Sequence, residues 1–483
     1  MKYYVFIFYL IYIQVIGYAQ NENKFKNSDI EFKAAEFKNN TYYLAGYYGK
    51  YTVLLDSVKA SNKGSVIFKK EKKYTEGIYL LVDNDKKIVL EFMMDSVQHF
   101  SINVALPKTF NSKVTNSKIN QDFFDFNLFL ATNFEQIKQL DSVLALQQTA
   151  IDSLVIKNKI IAIQKEIYQY KLEYIKENPK NVISIFFHLS QPPETYLEVI
   201  ENPNLLKNRN DSLNYVKNNF FKGIDFSDSR LLRNPFLETK INSYFNSLVS
   251  SSVEEITKEV FGILEKTGDK NEEMFSYLSL YFINKYLEPK IMGQDEVFIN
   301  IYNRYFNNKE YTWQSLKQKL SIEISNRNIK DNLIGHTAPN LFMTSLNEKS
   351  INLFDVQAPY LVLIFWDPSC GHCIKELPKI KKIYDELWKD MGIQVFAVNI
   401  NGDQKKEWKE YIEKEKIGDW INVIPATVVY GNYTKEEVDF QTRYNVFQTP
   451  VLYLLDATKK ILAKKVGFEN YLDIIKNQEL NKN

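Results

Sequence analysis

The chain has 483 residues, of which 45% are hydrophobic, and its formal net charge is +2 at pH 7. This length predicts about three domains, and the hydrophobic share is large enough to give them buried cores. The 61 basic and 59 acidic residues are interspersed, so the charge indicates neither a nucleic acid nor a strongly acidic partner. We expect a multidomain protein with a β-rich N-terminal domain, a mostly α-helical middle domain and a C-terminal α/β domain.

The first 19 residues have the pattern of a cleaved signal peptide. Lys2 gives a short positive start, and residues 3–16 form an apolar core that is too short for a membrane-spanning helix. The small residues Gly17 and Ala19 favour cleavage after Ala19. We therefore expect export, most simply to a bacterial periplasm, and the alternative is an uncleaved N-terminal membrane anchor.

Residues 20–112 are predicted to form a β-rich domain. The apolar residues of 78–82 and 88–92 alternate on either side of a polar turn at residues 83–87, which predicts a hairpin. Further strands are predicted at residues 52–55, 65–68 and 99–104. The domain contains no recognisable catalytic constellation.

Residues 116–330 are predicted to be mostly helical. Between Ile156 and Tyr174, apolar residues recur at steps of four and three, and Asn178-Pro179 ends the pattern. A coiled coil is the alternative, but the stripe covers fewer than three heptads, so a helical hairpin packed in a bundle is favoured. Further helical patterns lie at residues 237–248, 253–264, 274–286 and 296–306.

The only two cysteines, Cys370 and Cys373, lie in the sequence Cys-Gly-His-Cys. The apolar residues 361–366 before them predict a buried strand, and the pattern after them predicts a helix to about residue 388. At the first turn of a helix, unpaired N–H groups and the dipole favour a thiolate over a thiol. Cys370 is therefore predicted to attack a substrate disulfide and Cys373 to resolve the mixed disulfide, while a protonated His372 would stabilise the thiolate.

The remaining pattern of residues 334–483 is typical of an α/β domain around this dithiol. Asp403 is predicted to cap a helix that runs to about residue 415, and residues 416–443 are predicted to be an insertion. The other predicted elements are a hairpin at 341–354, a strand at 393–400 reached by a right-handed crossover, an antiparallel pair at 451–455 and 461–466, and a last helix at 470–476.

Residues 334–478 resemble the exported thioredoxin-fold thiol-disulfide oxidoreductases of the TlpA/ResA type. Besides the dithiol, Trp366 and Pro378 match a tryptophan and a helix-kinking proline of the family motif. Thr449-Pro450 matches the cis-proline that faces the dithiol, and residues 335–339 resemble the start of such domains. The regions upstream resemble, more weakly, a β-domain and a helical domain of unknown function that precede thioredoxin-like domains in exported Bacteroidetes proteins.

The resemblance implies roles for particular residues. Glu376, three residues after Cys373, matches the active-site glutamate of the ResA group and is expected to handle protons. Trp366 and Thr449-Pro450 are expected to shape a substrate groove, in which the cis-proline lets the preceding backbone pair with an extended peptide. Thioredoxin has a buried aspartate six residues before its first active-site cysteine, but this chain has Ile364 there.

Two other chemistries of a Cys-x-x-Cys site are less consistent with the sequence. A zinc site needs four ligands, and no second cysteine pair exists to complete one, so we expect neither a metal nor another cofactor. A peroxidatic site on this fold needs a threonine three residues and a proline seven residues before its cysteine, where this chain has Asp367 and Leu363.

We therefore expect an exported thiol-disulfide oxidoreductase that acts on cysteines or disulfides of periplasmic proteins. Relatives of the ResA type mostly act as reductants, which would need a membrane thiol electron donor. A histidine between the cysteines, as in protein disulfide isomerase, favours an oxidant or isomerase with an oxidising partner. A redox-regulated protein-binding module is the alternative from another class; no carbohydrate ligand is expected, because the aromatic residues follow core periodicities.

Overall fold

The computed structural model describes residues 28–146, 150–191, 209–270, 272–425 and 439–480. The predicted signal peptide lies outside these residues. The chain divides into two compact units, one of Met1–Val249 with Lys266–Gly268 and one of Ser250–Glu265 with Asp269–Asn483. In the described ranges, no helix combines the length and the apolar character needed to cross a membrane.

The first unit begins with two four-stranded sheets, so the β-rich N-terminal region is confirmed. Their strand orders are β4-β1-β7-β8 and β3-β2-β5-β6, and only β1 and β7 run parallel. The predicted hairpin is β5 and β6, with Tyr79 opposite Phe92. The strands are β1 Ser28–Lys33, β2 Thr41–Tyr48, β3 Tyr51–Lys59, β4 Ser65–Lys70, β5 Gly77–Val82, β6 Ile88–Met94, β7 His99–Asn103 and β8 Lys113–Thr115.

Both sheets contribute to one core. Phe32 of β1 and Phe92 of β6 pack edge to face with ring centroids 4.9 Å apart, and both are fully buried. Alternate residues of the strands carry this core, as the period-two pattern predicts. Helical residues such as Phe124 and Phe187 complete it.

The helices of the first unit include the predicted hairpin. Lys118–Leu144 (α1) and Ala150–Glu177 (α2) pack against each other, with Tyr170 stacked on Phe129 at 4.9 Å. Helix α2 ends at Glu177, just before the predicted stop. The other helices of this unit are α3 Val182–Ser190, α4 Arg209–Asn219 and α5 Leu237–Leu248.

The second unit begins with four helices, and three of them agree with the helical patterns predicted at residues 253–264, 274–286 and 296–306. The helix Asp295–Ile301 (α8) continues as a π-helix at Tyr302–Phe306. The helix at residues 316–329 matched no predicted pattern of its own, because the apolar residues Leu316, Leu320 and Ile324 are exposed and blur the helical periodicity. The other three are α6 Val253–Glu265, α7 Glu273–Leu287 and α9 Leu316–Ile329.

The C-terminal part forms a seven-stranded mixed sheet with the order β10-β9-β13-β12-β11-β14-β15, so the expected α/β domain is confirmed. The strands are β9 Phe342–Ser345, β10 Ser350–Asn352, β11 Tyr360–Trp366, β12 Gln394–Asn399, β13 Ile421–Pro425, β14 Val451–Asp456 and β15 Ile461–Lys464. The helices are α10 Gly371–Ile383, which continues as a π-helix at Tyr384–Trp388, α11 Lys405–Lys414, α12 Phe440–Arg443 and α13 Tyr471–Leu480.

Two predictions for this part were wrong. Residues 416–443 are not simply an insertion, because β13 lies inside the sheet between β12 and β9. Residues 422–424 of this strand are all buried, so the strand shows no alternation, and its five residues gave too weak a strand signal. Asp403 does not cap α11, since the N-cap is Gln404 and its side chain makes no capping hydrogen bond.

The central strand β11 explains why the sequence before the cysteines is continuously apolar. All seven of its residues are buried. Val362, Ile364 and Trp366 belong to the core on the side of helix α10, whereas Leu363 and Phe365 belong to the core on the other side of the sheet. A strand that is buried on both faces cannot show alternation.

A buried ion pair joins helix α8 to the edge strand β15 within the second unit. Lys464 Nζ lies 2.6 Å from Asp295 Oδ2, and the two side chains are only 3% and 6% exposed. Lys464 also donates to Asn332 Oδ1 at 2.9 Å, on the segment that follows α9. Because both charges are out of water, each depends on the other for its stabilisation.

Candidate active site

A tight turn after strand β11 places Cys370 at the start of helix α10. The backbone N–H and the hydroxyl of Ser369 both donate to Asp367 Oδ1, each at 2.6 Å. Cys370 N donates to the carbonyl of Asp367 at 3.1 Å, and Cys370 is the N-cap of the helix. The expected position of Cys370 at a helix N-terminus is therefore present.

Cys370 has the environment of a reactive thiolate. Burial opposes its ionisation, but interactions with the Thr449 side chain, with the backbone N–H groups of Cys373 and His372 and with the Cys373 side chain outweigh it. The pKa of Cys370 is therefore below that of an ordinary thiol. The side chain is only partly buried, so a disulfide can approach the sulfur.

Cys373 has the opposite environment. It is completely buried beneath Cys370, and this burial raises the pKa of its thiol to about 12, although the backbone N–H of Asp367 and the Thr449 side chain act against the shift. The neighbouring Cys370 raises it further. A low-pKa accessible cysteine above a high-pKa buried one is the arrangement that a nucleophile and a resolving thiol need.

Thr449 and Pro450 lie against the dithiol. The Thr449–Pro450 peptide bond is cis. The carbonyl oxygen of Thr449 accepts a hydrogen bond of 3.3 Å from Cys370 Sγ. The predicted apposition of these two chain segments, 79 residues apart in sequence, is therefore present in the structure.

His372 and Glu376 both lie on helix α10, but the His372 side chain is exposed and the Glu376 side chain is partly buried. His372 is exposed, and it is its backbone N–H that lowers the pKa of Cys370. Glu376 is partly buried one turn after Cys373, and its carboxylate accepts a hydrogen bond of 2.8 Å from Lys379 Nζ. The proton-handling role of Glu376 stays a prediction.

The position of Trp366 contradicts the expectation that its side chain helps to shape a substrate groove. Its side chain is completely buried, so its indole cannot line a substrate groove by direct contact. The ring packs against Tyr411 of helix α11 at a centroid distance of 5.1 Å, in the core that contains Cys373. Ile364 lies in the same core, so the wall around Cys373 has no carboxylate at that position.

Sequence reasoning missed Tyr411 as a neighbour of the dithiol. Together with Trp408 and Ile412 it forms the buried face of α11. The apolar spacing of this helix could have identified the face, but nothing in the sequence indicates that the face lies behind Cys373. Among the described residues, no group of three or more His, Cys, Asp or Glu side chains is placed to hold a metal ion.

Comparison with protein families matches residues 334–464 to the AhpC/TSA family. Residues 175–328 match a domain of unknown function, DUF5106. Among curated proteins, a thiol-disulfide oxidoreductase ResA from Bacillus cereus is 25% identical over 134 residues, which are 28% of this chain and 70% of that protein. A ResA from Geobacillus kaustophilus is 26% identical over 149 residues, which are 30% of this chain and 78% of that protein.

Solved bacterial structures are also similar to parts of the chain. A domain of a possible thiol-disulfide isomerase from Cytophaga hutchinsonii is 42% identical, with a TM-score of 0.27, and the match covers 31% of this chain and 95% of that one. A thioredoxin-like protein from Bacteroides caccae is 20% identical, with a TM-score of 0.44, and the match covers 56% of this chain and 96% of that one.

Proposed function

We propose that the chain exchanges disulfides with cysteines of exported proteins, because its C-terminal domain matches the AhpC/TSA family and is similar to thiol-disulfide oxidoreductases of the ResA type. The observation that carries this proposal is the pairing of Cys370, with its lowered pKa, and the buried Cys373 at one helix N-terminus.

The two thiols carry out the exchange in two steps. The Cys370 thiolate attacks one sulfur of a substrate disulfide, which forms a mixed disulfide and releases the other substrate sulfur as a thiolate that takes up a proton. Cys373 then loses its proton, for which Glu376 is the proposed acceptor, and attacks Cys370 Sγ. The substrate leaves with both sulfurs as thiols, and the enzyme is left with a Cys370–Cys373 disulfide.

We propose that the physiological direction is reduction of substrates, as the resemblance to ResA-type proteins implies. The oxidised pair then needs a membrane thiol donor to return it to the dithiol. Oxidation or isomerisation is the second candidate, favoured by the lowered pKa of Cys370, because a stabilised thiolate stabilises the reduced form of the pair.

The site of action that we propose is the periplasm, reached through the predicted signal peptide of residues 1–19. The alternative, retention by an uncleaved N-terminal anchor, keeps the redox unit on the same side of the membrane. Either form places the dithiol among exported proteins, where disulfides form and persist.

Turnover of a protein disulfide tests this proposal. With dithiothreitol as the electron source, the wild-type chain should accelerate the reduction of insulin, and Cys370→Ser should abolish the acceleration. Cys373→Ser should instead accumulate a mixed disulfide between Cys370 and the substrate, detectable by mass spectrometry. Wild-type protein without turnover, but with partner binding that Cys370→Ser leaves intact, would support a redox-regulated binding module instead.

A further inference from the structure

The reactive sulfur is bordered by two chain segments that the structure fixes against Cys370. The carbonyl oxygen of Thr449 lies 3.3 Å from Cys370 Sγ, and the backbone N–H of Ile374 donates to the carbonyl of Cys370 at 3.1 Å. The first segment is the chain that leads into the cis-proline, and the second is the first turn of helix α10. A disulfide that reaches the sulfur therefore approaches it past side chains of these two segments.

Phe447 is a large apolar residue that the first segment leaves in water. It lies two residues before Thr449 and is 64% exposed, whereas the preceding Val446 is buried in the core of the domain. Consecutive Cα atoms are about 3.8 Å apart, so the Cα of Phe447 is at most about 8 Å from that of Thr449. The Phe447 side chain is therefore within reach of the residues next to a substrate cysteine that is bonded to Cys370.

Ile374 adds a second exposed apolar side chain next to the sulfur. It lies four residues after Cys370, and residues with this spacing on a helix are neighbours along one face. Ile374 is 41% exposed, although the same helix has a buried face formed by Cys373, Leu377 and Ile380. Two exposed apolar side chains beside a reactive group indicate a binding surface, whereas single ones scattered over a protein need no explanation.

The occupant that fits this surface is the substrate chain on either side of its disulfide. The sulfur reacts only with a disulfide that touches it, so the residues adjacent to the substrate cysteine cover the surface during exchange. This contact is stabilised by the hydrophobic effect only if those residues are apolar as well. The charged groups of the same turn, His372 and Lys375, are exposed to water, where an ion pair with a substrate contributes little.

We propose that Phe447 and Ile374 form an apolar substrate-binding surface, and that the protein selects disulfides whose cysteine is flanked by apolar or aromatic residues. This inference rests on the proposed function and specifies its substrate class. Cysteines with such neighbours are accessible in segments that have not yet folded, because folding buries apolar residues. Phe447 and Ile374 thus determine specificity, whereas the two thiols carry out the exchange.

The test uses the reduced chain and short peptides whose single cysteine is bonded to 2-nitro-5-thiobenzoate. Attack of Cys370 on the peptide sulfur releases this coloured thiolate, so the rate is measured without an electron donor. The peptides differ only in the residue on each side of the cysteine, which is phenylalanine, glycine or glutamate. At limiting concentrations, the wild-type chain should react roughly five- to thirty-fold faster with the phenylalanine peptide than with the glycine peptide, as expected for partial burial of one aromatic side chain.

Substitutions of the surface should remove this preference. Phe447→Ala should reduce it to less than about twofold, Phe447→Leu should retain most of it because it keeps an apolar side chain, and Ile374→Ala should lower it by a smaller factor. The matched control is Phe354→Ala. Phe354 is also exposed, but it follows strand β10, which lies four positions and about 19 Å from β11 in the sheet. The control should keep the wild-type preference.

Three results would overturn the inference: equal rates of the wild-type chain with the phenylalanine and glycine peptides, a faster reaction with the glutamate peptide, or an equal loss of preference in Phe354→Ala. The rate with the glycine peptide shows whether each variant retains a functional dithiol. Failure of the proposed function gives a different result, because the reduced wild-type chain would then release no thiobenzoate from any peptide. Release from all peptides at one rate would leave the exchange function in place and contradict only the specificity.

Discussion

Cys370 Sγ lies 3.3 Å from the carbonyl oxygen of Thr449, so the reactive sulfur is fixed against a chain segment that is distant in sequence. Cys373, three residues further along the helix, is completely buried. The same helix start thus lowers the pKa of one thiol and contains another whose pKa is raised to about 12. This difference determines which sulfur meets a substrate first.

The difference predicts a selective alkylation. In the reduced protein, iodoacetamide at pH 6–7 should modify Cys370 rapidly and leave Cys373 intact, because only the thiolate reacts. The rate at Cys370 should rise with pH and level off below the pH at which an ordinary cysteine does. Peptide mapping by mass spectrometry checks this. Equal modification of both cysteines at pH 7 would contradict the assignment of the nucleophile.

His372 offers a test of how the thiolate is stabilised. Because its backbone N–H, not its exposed side chain, lowers the pKa of Cys370, His372→Ala should change that pKa little. His372→Pro removes the N–H and should raise the pKa, and proline is tolerated in the first turn of a helix. Thiolate absorbance at 240 nm during a pH titration measures both. An equal rise in both variants would show that the imidazole is the stabilising group.

Glu376 is the proposed acceptor of the Cys373 proton. Glu376→Gln should slow the resolution of the mixed disulfide while the attack by Cys370 proceeds normally, since only the second step needs the acceptor. Lys379→Gln is the control, because it removes the 2.8 Å ion pair but keeps the carboxylate. Rapid-quench measurement of the mixed disulfide separates the two steps. Unchanged resolution in Glu376→Gln would exclude this role.

The buried pair of Lys464 and Asp295 predicts a large loss of stability. Asp295→Ala leaves the Lys464 ammonium buried without its counter-charge and should lower the free energy of unfolding by about 3–5 kcal/mol. The control is Asp331→Ala, which removes a more exposed partner of Arg443 and should lower the free energy of unfolding by about 1 kcal/mol or less. Urea denaturation followed by fluorescence measures both losses. Similar losses in the two variants would contradict the account of this pair.

The sequence predicted the parts of the fold whose signals are local. The run of residues 361–366, the helix after Cys370 and the hairpin of β5 and β6 depend on short-range patterns, and the structure contains all three. Strand β13 was missed because a short strand buried within a sheet lacks alternation. The prediction that Asp403 caps helix α11 was wrong by one residue, because the helix begins at Lys405 and its N-cap is Gln404.

The site was predictable only where residues are close in sequence or match a known motif. The roles of Cys370 and Cys373 follow from their spacing at a helix start, and the position of Thr449-Pro450 followed from the resemblance. The resemblance assigned Trp366 to the groove, but Trp366 ends a strand that is buried on both faces, and its side chain is completely buried. Tyr411 could not be found, because its contact with Trp366 joins two elements about 45 residues apart and leaves no mark on either local pattern.

The reduction potential of the Cys370–Cys373 pair tests the central claim most directly. The protein is equilibrated in dithiothreitol buffers of graded potential, and the fraction of disulfide is measured by trapping and mass spectrometry. A reductant should show one reversible two-electron couple near the value of thioredoxin, about −270 mV. A couple near about −180 mV would contradict the proposed direction and support an isomerase or oxidant, and the absence of any reversible couple would contradict the assignment of the dithiol itself.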